Sequence, residues 1–206
     1  MTKKHILGIT AAASLAVFSQ TTAAAGFNYT FAEAGYRNID SDNYSGDGFR
    51  VSFSYGATDY LHIVGDYSRL WVDDVDGTSD ADIDIDEFKI GFGSHYSITD
   101  KIDIAGTVTY VDDEYTGNAV PDGLGYKTNI NKSEEGYQAT IYGRIQAMKK
   151  LELTPHIVHT EVDGSDTGFG LGLVYDLTRQ FAIRARATSF SDDSTTNLFL
   201  GVRLNM

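Results

Sequence analysis

Charged residues recur inside segments that otherwise read as strands. Glu33, Arg37, Arg50, Asp66, Glu87, Lys89, Asp103, Arg144, Glu152, Arg184, Arg186 and Arg203 form this set. Seven are basic and five acidic, so they can pair with one another as a closed plug or line a path for ions. A second set is purely acidic: Asp73, Asp74, Asp76, Asp80, Asp82 and Asp84 crowd one stretch. Carboxylate oxygens suit calcium or magnesium. The run DGTSDADID does not match an EF-hand loop, so these residues are candidates for loose divalent binding only, and no built metal site is assigned. A third set, Asp82, Asp84 and Asp86 with His159 and Glu161, has the residue types for a carboxylate-oriented histidine that activates water. No Ser–His spacing singles out a nucleophile. The sequence therefore assigns no catalytic residue and no cofactor, and it reads as a non-enzyme.

The elements that must hold the first set show best in residues 49–70, FRVSFSYGATDYLHIVGDYSRL. Phe49, Val51, Phe53 and Tyr55 alternate with Arg50, Ser52, Ser54 and Gly56. After a turn at 57–60 the alternation resumes, with Val64 as its exception. A period of two means extended strand, so this is a hairpin with one apolar and one polar face. Ten such segments are expected: 28–37, 49–56, 61–70, 85–96, 102–111, 137–146, 151–160, 168–176, 181–190 and 197–206. Each is close to the roughly 9–11 residues that a tilted strand needs to cross a bilayer, and none is expected to project beyond it. Short turns (57–60, 97–101, 147–150, 177–180) alternate with longer or more acidic loops (38–48, 71–84, 112–136, 161–167, 191–196). That asymmetry suits a membrane barrel with both termini on the short-turn side. Eight strands remain the alternative if 161–168 does not reverse the chain. Pro155, inside the seventh segment, cannot donate to a ladder. A bulge there would flip His156 and His159.

The two faces argue for the environment. Phe88, Ile90, Phe92, Ile102, Ile104, Phe169, Leu171, Leu173, Leu198, Leu200 and Val202 share the apolar face, opposite the twelve charges. A soluble barrel would have to desolvate the charges or wet the apolar set. A closed antiparallel β-barrel in lipid does neither, because its backbone is paired between strands and its apolar face meets acyl chains. Aromatics group at both ends: Tyr36, Phe49, Tyr67, Trp71, Tyr110, Tyr137, Phe169 and Phe190 at one, Tyr55, Tyr60, Tyr96, Tyr175 and Phe181 at the other. Two girdles at the interfaces are what such a barrel presents. Gly91, Gly93, Gly170, Gly172 and Gly201 fall on the inner face and make room there.

Residues 1–25 pair a basic start, Lys3 and Lys4, with an apolar stretch from Ile6 to Phe18 and small residues at Ala23, Ala24 and Ala25. This is the pattern of a cleaved secretory signal peptide; a retained anchor helix is the alternative. Residues 26–206 then form one barrel domain. There is no cysteine. Removing Lys3 and Lys4 from 16 basic residues leaves 14 against 29 acidic, a net of −15. Such a chain is not a nucleic-acid binder. Its expected partners are cations, and anionic lipopolysaccharide bridged by divalent ions, with Arg69 near the rim able to meet a phosphate directly. An acidic mouth would favour cations if the lumen conducts.

The chain resembles the small outer-membrane β-barrel proteins of the porin or opacity type over residues 26–206. The resemblance rests on YTFAEAGYR at 29–37, GDGFRVSFSYGATDYLHIVGDYS at 46–68, and the closing NLFLGVRLNM. It implies a bacterial outer-membrane location, assembly by the barrel assembly machinery through the alternating last strand, and a role as a surface or structural protein or a narrow passive porin. Met206 stands where that family usually ends in an aromatic residue. A membrane-embedded hydrolase, omptin-like or lipid-modifying, is the alternative function, and a soluble periplasmic barrel the alternative setting.

Overall fold

The structure, a computed structural model, describes residues 26–75, 78–121, 128–191 and 194–206. The expected signal peptide at 1–25 lies outside the described residues. Ten strands follow in order: β1 (Phe31–Asp40), β2 (Tyr44–Gly56), β3 (Leu61–Val75), β4 (Thr78–Thr99), β5 (Ile102–Pro121), β6 (Thr128–Met148), β7 (Leu151–Glu161), β8 (Ser165–Asp176), β9 (Phe181–Phe190) and β10 (Thr196–Asn205). Each pairs antiparallel with its sequence neighbours, and β1 pairs with β10 to close the barrel. Closure removes every edge at that level, so the backbone groups are paired without water. The eight-strand alternative is excluded: β7 turns into β8 at 162–164, with Glu161 opposite Ser165. Gly164 makes this reversal at a φ of 109°, a region that L side chains avoid.

Alternation carries the facing. On the outside lie Phe92, Tyr96, Ile141, Phe169 and Leu200, all exposed. On the inside lie buried polar and charged groups, among them Glu33, Asp103, Arg144 and Arg203. This is the reverse of a soluble protein, in which the exposed side is the polar one.

Two expectations fail. Residues 71–84 and 112–136 are largely not loops: β4, β5 and β6 run for 22, 20 and 21 residues. At about 3.4 Å per residue and a tilt near 45°, such strands rise some 50 Å, well beyond a hydrocarbon core of about 30 Å. They project as a three-stranded sheet past the girdle. The physical reason is that period two persists in DADIDID, with Ile83 and Ile85 on one face and Asp82, Asp84 and Asp86 on the other. Outside the membrane an outward strand face can be acidic. Residues 38–48 are likewise mostly strand, reversing only at 41–43, where the Ser41 hydroxyl accepts from the Tyr44 amide at 3.1 Å.

Pro155 makes no bulge. Tyr142 faces His156 and Ile145 faces Leu153 in one unbroken register. Gly143 and Arg144 drop out of the ladder, and Gly143 leaves space for the proline ring, whose Cγ lies 3.6 Å from where a Cβ would stand. The ring points outward, so the missing N–H changes no facing. His156 stays inside and His159 outside, bonded to the Thr167 hydroxyl at 3.0 Å.

Candidate functional site

All twelve strand charges turn toward the barrel interior, because each lies on the parity opposite the lipid-facing apolar set. They pair tightly. Glu33 on β1 accepts from Arg203 Nε at 2.6 Å and Arg184 Nη1 at 3.1 Å. Glu152 takes Arg144 in a two-pronged grip, at 2.7 and 2.8 Å. Asp66 accepts from Arg50 at 2.5 Å. Glu87 bridges Arg37 at 2.8 Å and Lys89 at 2.9 Å. Asp103 accepts instead from the Tyr29 hydroxyl at 3.1 Å. Paired, hydrogen-bonded charges are what a low-dielectric interior tolerates.

The pairing does not fill the lumen. An inner chamber of about 160 Å³ lies toward the turn end, lined by Glu33, Arg144, Glu152 and Arg203 among others. An outer chamber of about 230 Å³ lies toward the loop end, lined by Arg37, Glu87, Asp113 and Asn197 among others. Arg50, Lys89, Gln138 and Arg186 line both, so these four form a belt where the chambers meet. Phe190, expected in the outer girdle, lines the outer chamber instead: it shares the inward parity of Arg184, Arg186 and Thr188 on β9. Its ring covers Gly168, where a Cβ would approach it to 2.9 Å.

The turn end is crossed by a residue whose place residue types alone did not reveal, Tyr29, which reaches side chains of β4, β5 and β6. Tyr29, just before β1, is 6% exposed. Its ring stacks on His95 at 3.6 Å and lies under the Arg144 guanidinium at 4.7 Å. His62, joined to His95 at 3.4 Å and to the Tyr142 hydroxyl at 3.3 Å, backs this cluster. Gly93 opens the space for it, since a Cβ there would meet the His62 ring at 2.4 Å. The segment is latched from both sides. Arg144 Nη1 donates to the Asn28 carbonyl at 2.7 Å, Asn28 donates to the Met206 carbonyl at 3.1 Å, and the Met206 amide donates to Thr30 at 3.0 Å. The signal for Tyr29 was in the sequence: it shares the odd parity of Glu33 and Arg37.

The outward sets are placed differently. Arg69 holds Asp84 at 3.2 Å and Asp86 at 3.1 Å on the outer wall. Asp76 lies outside the described residues, as do the side chains of Asp73, Asp74 and Asp80. Among the described residues no three His, Asp or Glu groups gather as a metal site. The hydrolase set is not assembled: Asp82, Asp84 and Asp86 sit on β4 and His159 and Glu161 on β7, with β5 and β6 between them. Glu161 is taken by the Tyr137 hydroxyl. Asp113 lies beyond the outward-facing Asp112, hence above the membrane level. Burial, and then the nearby Glu87 carboxylate, push it up to about 7.

No protein-family model matches the chain, and no curated protein matches it. Solved structures do. The outer membrane protein OprG from Pseudomonas aeruginosa superposes with a TM-score of 0.53 at 11% identity, covering 88% of this chain and 98% of that one. The beta domain of the Bordetella autotransporter BrkA gives 0.51 at 9% identity, covering 85% and 98%. The KdgM porin gives 0.48 at 12% identity, covering 84% and 99%. The likeness to the first two is one of overall fold. The fold of this chain is thus a closed antiparallel β-barrel similar to those of outer-membrane proteins.

Proposed function

We propose that the protein is a narrow passive pore for small solutes in a bacterial outer membrane, held shut at the turn end by the Tyr29 segment. The observation that carries this reading is the pair of chambers meeting at Arg50, Lys89, Gln138 and Arg186. A lumen built only as a plug has no need of open volume on both sides of its ion pairs. Residues 1–25 would direct export and be removed, and assembly would use the alternating β10. The test is single-channel recording of the refolded chain 26–206 in a planar bilayer. Discrete, reproducible steps support the pore. A folded barrel that stays silent, both as wild type and with Tyr29→Ala, refutes it.

A second reading has its own observation. The sheet that β4, β5 and β6 raise beyond the girdle carries Asp82, Asp84, Asp112, Glu114 and Glu135. Such a surface suits contact with lipopolysaccharide phosphates through divalent cations. Extraction of the protein from native membranes that is unchanged by a chelator would count against that contact.

A further inference from the structure

We propose that the inner chamber is a binding site for small oxyanions, phosphate or carboxylate in chemistry, centred on Arg186 with Arg50 and Arg184. The proposal deepens the pore reading by naming the class of solute, and it rests on solutes reaching the lumen.

The inner chamber carries unmatched positive charge. Six basic side chains line the inner chamber against three carboxylates, Glu33, Asp66 and Glu152. The carboxylates are committed. Glu152 serves Arg144, Asp66 serves Arg50, and Glu33 serves both Arg203 and Arg184. Lys89 turns to Glu87 in the outer chamber. Arg186 has no carboxylate within 4.0 Å among the described residues. Its Nε donates to His156 Nε2 at 3.2 Å, and that ring nitrogen also meets the Thr188 hydroxyl at 2.9 Å. The two Nη groups of Arg186 make no hydrogen bond to a described residue and are not sealed off from the chamber.

Its neighbours deepen the imbalance. Arg184 is two residues away on the same face of β9, and Arg50 and Arg184 are the like charges that bear on Arg186, with Asp66 and Glu33 the opposite charges, each already paired with another arginine. Arg184 gives one Nη to Glu33, and Arg50 gives its Nε to Asp66. Planar guanidinium forks with free N–H groups match the oxygens of phosphate or carboxylate. A half-buried guanidinium without a counter-ion is unfavourable where the surroundings are poorly polarisable, and a bound anion relieves it. Arg50 and Arg186 also belong to the belt, so an anion held there sits on the line between the chambers. The charge of the belt is thus opposite to that of the acidic outer rim. The rim gathers cations, but the belt selects anions.

The test is calorimetric titration of the folded chain 26–206 in detergent with inorganic phosphate, at constant ionic strength set with chloride. Wild type and Tyr29→Ala are both titrated, so that a shut turn end does not hide the site. Saturable binding is expected in at least one. It should weaken tenfold or more in Arg186→Met and be partly restored in Arg186→Lys. Arg69→Gln, on the outer wall, should leave it unchanged. Absence of saturable binding in both parent forms overturns the proposal. So does binding that survives Arg186→Met undiminished. If Arg186→Met does not fold, Arg184→Met replaces it with the same expectation. A barrel that binds phosphate yet never conducts keeps the site and refutes the pore. One that conducts yet does not bind does the reverse.

Discussion

Replacing Tyr29 with alanine should open the turn end of the barrel. Three interactions vanish together. The stack on His95 at 3.6 Å is worth about 0.5–1.5 kcal/mol. The hydroxyl bond to the Asp103 carboxylate at 3.1 Å is worth roughly 1.5–3 kcal/mol. The cation–π contact with Arg144 at 4.7 Å adds about 0.5–2 kcal/mol. The segment stays tethered through Asn28 and Met206, so its return is local and fast. Taking about 3 kcal/mol as the joint loss, the ratio of open to closed should rise about a hundredfold. Tyr29→Phe keeps both ring contacts and loses only the hydroxyl bond, so its rise should be nearer tenfold, at about 1.5 kcal/mol. Single-channel recording reads this as the fraction of time spent conducting. Folding of each variant is checked by its heat-dependent shift on a gel. If the alanine variant folds and its open fraction stays within about threefold of wild type, a difference of only about 0.6 kcal/mol, the stopper does not exist as described.

Three other perturbations follow from the same structure. Glu33→Gln leaves Arg184 and Arg203 without their shared carboxylate. Urea unfolding in lipid vesicles should show a loss of about 3–5 kcal/mol, the usual effect of breaking a buried pair; a loss below about 1 kcal/mol would mean the chamber rehydrates freely. Asp113, held up to about 7, binds its proton more tightly folded than unfolded, where its value is near 3.8. The folded state is therefore favoured at low pH, and this contribution is lost as pH rises from about 4 to about 7. Asp113→Asn should remove that decline and leave the barrel more stable at pH 8; an unchanged pH profile would show that water screens the site. Gly164→Ala forces a Cβ into a φ of 109° at the β7–β8 turn, at a strain of about 1–3 kcal/mol. Hydrogen exchange at the Val162 amide, bonded to the Gly164 carbonyl at 3.2 Å, should speed up while the barrel centre is unaffected.

Period two and the nature of its two faces were sufficient, from residues alone, for a closed barrel in lipid. Alternation in 49–56 or 168–176 leaves a strand no choice of face, and charges opposite Phe, Leu and Ile on segment after segment favour lipid over a soluble setting. The inward parity of Glu33 or Arg203 follows from the same pattern; ten strands were expected from it, and the reversal at 162–164 excludes eight. The extent of β4–β6 was misread because strand was equated with membrane span. Aspartate disfavours strands where they are half buried, but DADIDID lies beyond the lipid, where its acidic face is simply solvated. Pro155 misled in the other direction, since its ring meets lipid beside Gly143 and the register holds.

Which charges pair was decided only by closure. Glu33 and Arg184 are 151 residues apart in the chain, and Glu33 meets both Arg184 and Arg203 because β1 pairs with β10 and β10 with β9. A count of seven bases against five acids cannot say that Arg186 is the one left over. Nor can it say that Tyr29 fills the turn end, since His95, Asp103 and Arg144 come to it from three different strands. Parity is a local property of the backbone and is written in the sequence. Partnership across a lumen depends on barrel circumference and stagger, which exist only once the sheet has closed.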